Sequence, residues 1–142
     1  MEQIHIGGWT LSVDVPKTKA LYEGLTHKNE IAAWLNYIEV SSFADMEVHA
    51  FFDLLGIEMQ KPSQLSYHEV EGGSMLMYTG SYHLYGDLVE GEIDGWDVVI
   101  GNYCFSLTQD MEAVPAGMSG NIVEISFEAV LPWVLEPPIS SR

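Results

Sequence analysis

The sequence predicts an α+β domain whose helices pack on one face of a mainly antiparallel sheet. One observation is the stretch from Asn121 to Glu136, where apolar and polar residues alternate between Val123 and Ala129 as in a half-buried strand. A second is the helical spacing of apolar residues between positions 27 and 56. The third is the order of the elements: a strand, then two or three helices, then four or five strands. We therefore expect five to six strands, with two or three helices inserted after the first strand, in one domain over residues 1–142.

The first predicted elements are a strand and a short helix. In the strand, apolar residues alternate with polar ones; the apolar residues are Trp9, Leu11, Val13 and Val15. Pro16 lacks a backbone N–H, so it ends the strand and suits the first turn of a helix. This helix is predicted over residues 17–23, and Gly24 closes it.

Two amphipathic helices are predicted next. The first begins at His27 or Asn29, and its apolar face follows the spacing i, i+3, i+4, i+7: Ile31, Trp34, Leu35 and Ile38. The second has Ser42 as its N-cap and ends at Gly56, which readily adopts the left-handed conformation found at helix ends. Its apolar face has the same spacing: Val48, Phe51, Phe52 and Leu55.

The second half of the chain is predicted to be β-structure. A turn at residues 71–74 precedes a long strand over residues 75–85. Gly86 and Asp87 are expected to interrupt this strand, which continues over residues 88–93.

A tight hairpin is predicted where this strand ends. Asp94-Gly95 is a dipeptide typical of type I′ turns. The return strand over residues 96–107 is apolar on both sides, which favours a central position. The last strand ends at Pro132, which has no N–H for the sheet.

The charge is strongly negative and unevenly distributed. The chain has 21 acidic and 5 basic residues, a formal net charge of −16. Between Pro62 and Ser141 there are 12 acidic residues and no Lys or Arg. Such a field repels nucleic acid and anionic membranes and attracts basic partners. We therefore predict a basic protein partner, no nucleic acid and no membrane.

The composition also indicates the compartment. Cys104 is the only cysteine, so an internal disulfide is excluded, which fits a reducing cytosol. The first residues lack the basic and apolar regions of a secretory signal, and no apolar run could cross a bilayer. We expect a cytoplasmic protein.

Three short motifs resemble an uncharacterised family of small bacterial proteins. They are Leu-Ser-Val-Asp-Val at 11–15 followed by Thr18 and Tyr22, Leu55-Gly56-Ile57 with Lys61-Pro62, and Pro-Trp-Val-Leu at 132–135. The resemblance covers most of the chain. Members of that family carry a cysteine-rich segment after the first short helix, whereas the matching residues 22–34 contain no cysteine. The resemblance therefore implies neither a metal or redox role nor any reaction.

No motif predicts a catalytic residue or a cofactor. A zinc site would need His68, His83 and Cys104 to meet in space, because no two histidines have ligand spacing on one helix. Ser74 and Ser119 stand beside glycines but fit turns better than a nucleophile elbow. Phosphate-binding glycine motifs are absent from the sequence. We predict no catalytic, metal or cofactor site.

The best candidate binding residues surround the predicted hairpin: Asp87, Glu90, Glu92, Asp94, Trp96 and Asp97. Glu90 and Glu92 are expected to share one face of a strand because they are two residues apart. The cluster suits a docking surface for a basic protein or a low-affinity Ca²⁺ or Mg²⁺ site, or it is a solvated surface that keeps the strand edge from pairing.

Two functional hypotheses follow. The first is a non-enzymatic binding protein that docks a basic partner, for example an immunity-type inhibitor of a basic toxin or nuclease. The alternative is a small-molecule-binding or hydrolytic enzyme with a pocket between the sheet and the helices. A homo-oligomer formed through Trp133, Leu135 and exposed aromatic residues is a further prediction.

Overall fold

A computed structural model describes residues 1–25, 31–70, 74–108, 111 and 113–135. It shows a sheet with helices packed on one of its faces. Over these residues the elements are β1 (Glu2–Ile6), β2 (Trp9–Val13), α1 (Val15–Gly24), α2 (Ala32–Ser41), α3 (Met46–Leu55), β3 (Gln64–Glu69), β4 (Met75–Glu90), β5 (Val98–Ile100), β6 (Tyr103–Thr108) and β7 (Ile122–Pro132). The predicted α+β class is confirmed. The sheet has seven strands in the described part of the chain, and the helices follow β2. The predicted helix start at His27 or Asn29 and residues 71–73 of the turn predicted over 71–74 lie outside the described residues.

The long strand β4 organises the sheet. The strand order is β1-β2-β4-β7-β6-β5, and every pairing between these described strands is antiparallel. One edge of β4 pairs with β7 from Met75 to Tyr85. Its other edge pairs with β3 up to Ser81 and with β2 from Gly86 onward. The predicted final strand, with Pro132 as its last residue, is confirmed.

The predicted interruption of β4 at Gly86 and Asp87 is wrong. The strand continues through both residues, which pair with Val13 and Ser12 of β2. A Cβ atom on Gly86 would lie 2.2 Å from the carbonyl oxygen of Ser12. Glycine is therefore needed for the close approach of two strands and does not mark a break.

Helix α1 fills a gap along the edge of β4 that lies between β3 and β2. The Tyr22 hydroxyl donates to the carbonyl oxygen of His83 at 2.8 Å and accepts from the His83 N–H at 3.0 Å. One turn earlier in the helix, Thr18 Oγ1 accepts from the Tyr85 N–H at 3.1 Å. Two helical side chains thus replace a neighbouring strand, because buried backbone groups must be hydrogen-bonded.

The predicted hairpin at Asp94-Gly95 is also wrong. Strand β4 ends at Glu90, and the next strand pairs with β6, not with the end of β4. The tight turn lies instead at Gly101-Asn102, where Gly101 has φ +56° between the paired Ile100 and Tyr103. Gly-Asn is itself a known hairpin dipeptide, so the sequence did carry this signal. The predicted strand over 96–107 is divided into β5 and β6, with β6 between β7 and β5.

Helices α2 and α3 differ in how well their buried faces were predicted. Helix α3 buries Val48, Phe51, Phe52 and Leu55 and ends at Gly56 as predicted, although Asp45 rather than Ser42 precedes its first residue. In α2 the predicted apolar face is wrong, because Ile31 and Leu35 are 54% and 41% exposed. The buried residues of α2 are Ala33, Asn36, Tyr37, Val40 and Ser41.

Hydrogen bonds between buried tyrosines explain the orientation of α2. The Tyr103 hydroxyl donates to that of Tyr37 at 2.9 Å, the hydroxyls of Tyr37 and Tyr82 lie 2.5 Å apart, and Tyr82 donates to the carbonyl oxygen of Met59 at 2.6 Å. These three hydroxyl groups form the tyrosine chain. Burial raises the pKa of all three phenols, and nearby tyrosine hydroxyls raise it further.

The corrected face of α2 leads to a stability prediction. Tyr37→Ala should lower the free energy of unfolding by about 3–5 kcal/mol, because a large ring and its hydrogen bonds leave the core. Leu35→Ser should change it by less than about 1 kcal/mol, because Leu35 is largely exposed. Urea unfolding followed by circular dichroism measures both. A larger loss for Leu35→Ser than for Tyr37→Ala would contradict the observed orientation.

Candidate functional site

The face of the sheet that points away from the helices, here called the outer face, is polar along β3, β4, β7 and β6. The strand registers align its side chains in three rows across the sheet: Ser66–Thr79–Glu128–Cys104, Gln64–Ser81–Ser126–Ser106 and His83–Glu124–Thr108. Opposite side chains in neighbouring strands lie about 5 Å apart. Residues widely separated in sequence therefore form one continuous polar surface.

A groove of 390 Å³ lies on these rows and is here called the outer groove. Its lining includes hydroxyl groups, the carboxylate residues Glu124 and Glu128, the amide Gln64 and the ring of Trp96. The Trp96 side chain is 38% exposed. The outer groove therefore combines hydrogen-bonding groups with an aromatic side chain, which is typical of sites that orient a polar ligand.

Trp96 is held beside the groove by an unusual backbone conformation. Its φ is +50°, in the left-handed region that bulky residues rarely adopt. Two side chains of β6 bind its backbone: the Trp96 N–H donates to Ser106 Oγ at 3.3 Å, and Cys104 Sγ donates to its carbonyl oxygen at 3.4 Å. Strained residues of this kind persist only where their surroundings hold them, and they often line binding sites.

A buried chain of polar side chains forms one end of the outer face. Ser63 Oγ lies 2.6 Å from His83 Nδ1, and His83 Nε2 lies 2.8 Å from Glu124 Oε1. The order resembles nucleophile, base and carboxylate in hydrolases. However, the His83 side chain is completely buried and both ring nitrogens have partners. This arrangement suits a structural role, in which three side chains tie the start of β3 to β4 and β7.

The burial of Glu124 departs from the pattern in the sequence. Alternation along β7 predicts that Glu124, Ser126 and Glu128 lie on the less buried face, yet Glu124 is only 3% exposed. Its partner His83 comes from β4, 41 residues earlier in the chain. The register of β4 against β7 is needed to bring the two together, and neither local sequence indicates it.

Two polar groups in the outer groove lack an interaction partner within the described part of the chain. Ser81 is only 3% exposed, and its hydroxyl has no hydrogen-bond partner among the described residues. The Glu128 carboxylate is half-buried and has no cationic partner in the same part of the chain. Partial burial, and then the charges of Glu128 and Asp97, raise the pKa of the Cys104 thiol.

The predicted binding residues, here called the acidic segment (Asp87, Glu90, Glu92, Asp94, Trp96 and Asp97), lie at the end of β4 and in the loop after it. All five carboxylates are exposed. The expectation that Glu90 and Glu92 share a strand face is wrong, because β4 ends at Glu90. Trp96 belongs both to the acidic segment and to the lining of the outer groove, so the two features are continuous.

The residues considered for zinc do not come together. Cys104 and His83 lie in different rows of the outer face, and the exposed His68 pairs with Met77 beyond both. Over residues 1–25, 31–70, 74–108, 111 and 113–135, no group of three or more His, Cys, Asp or Glu side chains could hold a metal ion.

The space between the sheet and the helices, where a pocket was considered, contains packed aromatic rings. Phe52 lies 4.7 Å from Tyr82 and Phe51 4.3 Å from Phe105 between ring centroids. Tyr78, Tyr82 and Tyr103 are buried, whereas Tyr67 and Trp96 are exposed. The outer groove is therefore on the opposite face from the one considered in the sequence.

Comparison of the chain with protein-family models, with curated proteins and with solved structures finds no match. The resemblance to small bacterial proteins therefore stays a prediction. None of the helices in the described part of the chain has the length and apolar character needed to cross a membrane.

Proposed function

We propose that this is a binding protein whose acidic segment docks on a basic protein partner. The observation that carries the proposal is that five exposed carboxylates are grouped in residues 87–97 and that none of them forms an ion pair with a described residue. An inhibitor of a basic toxin or nuclease is one partner relationship that would use such a surface.

None of the three described lysines pairs with the acidic segment, and two of them, Lys17 and Lys61, are engaged elsewhere. Lys61 Nζ donates to the carbonyl oxygen of Tyr22 at 2.6 Å and pairs with Glu58 at 3.3 Å. Lys17 Nζ lies 4.2 Å from the ring centroid of Tyr85. The described lysines therefore do not neutralise the acidic segment. Its negative field accelerates association with a protein of opposite charge.

Exposed apolar side chains accompany the carboxylates. Val89 and Val99 are 56% and 70% exposed, and Trp96 is partly exposed between them in the sequence. Charged groups at the edge of an interface contribute mainly to the association rate, whereas buried apolar and aromatic groups contribute most of the affinity. The acidic segment therefore offers both contributions.

The proposal is tested with two variants of equal charge. The docking variant carries D87N, E90Q, E92Q, D94N and D97N, whereas the control variant neutralises five exposed carboxylates elsewhere with E2Q, E23Q, E39Q, E47Q and D53N. A protein captured from a lysate of the source organism is purified and titrated against each variant, and light scattering gives the oligomeric state. We expect the docking variant to associate about 10- to 100-fold more slowly than the wild type at low salt. The control variant should differ far less.

Salt provides the second arm of this test. Raising the salt concentration from about 0.05 to 0.5 M shortens the screening length severalfold and should remove most of the difference between the wild type and the docking variant. Equal losses in the two variants, or capture that does not depend on salt, would rule out docking by the acidic segment.

A further inference from the structure

We propose that the outer groove binds a guanidinium group, that of an arginine side chain presented by the basic partner. This inference rests on the proposed function, because the acidic segment would bring the arginine to the groove. It goes further by naming a second site, on the face of the sheet, and the side chain that enters it.

The first observation is the unsatisfied hydroxyl of Ser81. A buried polar group without a partner costs free energy, and native proteins rarely leave one unless another molecule satisfies it. Ser81 lines the outer groove and lies between Gln64 and Ser126 in the middle row. A bound donor that reaches this buried oxygen from the groove would satisfy it.

The second observation is the Glu128 carboxylate. It lies in the row next to Ser81, opposite Thr79 on β4 and Cys104 on β6. Partial burial disfavours the charged form of a carboxylate, at a cost in free energy, and contact with a positive group favours it. A cation in the outer groove would offset this cost, whereas a neutral ligand such as a sugar would leave it in place.

The third observation is Trp96, which lines the same groove and is 38% exposed. Cations bind favourably to tryptophan rings, and a guanidinium also stacks on them through its flat surface. The strained backbone of Trp96 is held by two hydrogen bonds to β6, which limit the positions that its ring can take before any ligand arrives. A preorganised ring loses less conformational entropy on binding.

The number of acceptors favours arginine over lysine. A guanidinium has five N–H donors in one plane, and an ammonium has three on a single atom. Besides Glu128 and Ser81, the groove offers the hydroxyl oxygens of Ser66 and Thr79 and the amide oxygen of Gln64. These acceptors are spread over the three neighbouring strands β3, β4 and β7, so a planar guanidinium with five donors reaches more of them than a compact ammonium does.

The test uses arginine amide, lysine amide and glucose as probes of the intact chain. Two-dimensional ¹H–¹⁵N NMR should show saturable shifts of the Ser81, Ser126 and Glu128 amides on addition of arginine amide, with a Kd on the order of millimolar for so small a ligand. Glu128→Gln should weaken binding about tenfold or more, since a charge-assisted hydrogen bond is lost. Ser81→Ala should weaken it severalfold, and Glu39→Gln, at an exposed position of α2, should not change it.

The outcomes separate this inference from the docking proposal. Absence of saturable shifts, equal affinity for glucose, or unchanged affinity in Glu128→Gln would overturn the arginine site even where the docking variant loses its partner. Saturable arginine amide binding combined with partner capture that ignores the acidic segment would support the arginine site and overturn docking. Circular dichroism of each variant confirms that the fold is retained, and Glu128→Gln keeps the shape of the side chain it replaces.

Discussion

The protein should unfold steeply as the pH is raised above about 10, the ordinary pKa of tyrosine. Burial raises the pKa of Tyr22, Tyr37, Tyr82 and Tyr103, so in the folded state all four keep their protons where the unfolded chain loses them. Above about pH 10 the unfolded state therefore binds fewer protons, and stability falls as pH rises. Each tyrosine contributes about 1.4 kcal/mol per pH unit, so four contribute about 5 kcal/mol per pH unit. Below about pH 9 these groups give no pH dependence.

Two signals recorded together measure this effect. Far-ultraviolet circular dichroism reports unfolding, and absorbance at the phenolate band reports ionisation; we expect a large part of the phenolate signal to appear in the unfolding transition. Absorbance at the phenolate band follows the tyrosines alone, so the four lysines of the chain do not contribute to this signal. Tyr103→Phe should reduce the slope by about 1.4 kcal/mol per pH unit. Ionisation of all seven tyrosines in a protein that stays folded would contradict the expectation.

Removal of one hydroxyl group, in Tyr22→Phe, should have the second large effect. This hydroxyl is hydrogen-bonded to both the N–H and the carbonyl oxygen of His83. Phenylalanine keeps the ring but leaves two buried backbone groups without that partner. At about 1–3 kcal/mol for each unsatisfied group, the free energy of unfolding should fall by about 2–6 kcal/mol.

Tyr67→Phe is the matched control for that substitution. Tyr67 is 43% exposed, so losing its hydroxyl should change stability by less than about 0.5 kcal/mol. Urea unfolding measures both variants, and hydrogen exchange of the His83 amide should accelerate in Tyr22→Phe alone. Equal stability of the two variants would show that the α1 hydroxyl does not replace a strand.

Elements with a strong local pattern could be predicted from the sequence. Helix α3 and strand β7 follow their apolar spacing, since each buries one face against a common core. The face of α2 could not be predicted from apolar residues alone, because Asn36 is buried through hydrogen bonds to the carbonyl oxygen of Pro132 and the N–H of Val134. Those partners lie almost 100 positions away, so no local pattern shows them.

Of the two parts of the candidate site, only the acidic segment could be predicted from the sequence. The exposure of the acidic segment could be predicted, because charges on a loop remain in water. The outer groove could not be predicted, because its composition depends on which residues of β3, β4, β7 and β6 stand opposite one another. The sequence shows Ser81 and Glu128 as ordinary alternating polar residues, and only the register makes them neighbours of Trp96.

The arrangement of β4 and β7 also has a consequence during synthesis. Their paired residues are between 37 and 57 positions apart in the chain, so the centre of the sheet consists of non-local contacts. A ribosome that has produced β4 must translate some thirty more residues before β7 can pair with it. Over that interval the nascent chain exposes an open strand edge that is a target for chaperones. High contact order of this kind also slows refolding from denaturant, into the range of milliseconds to seconds.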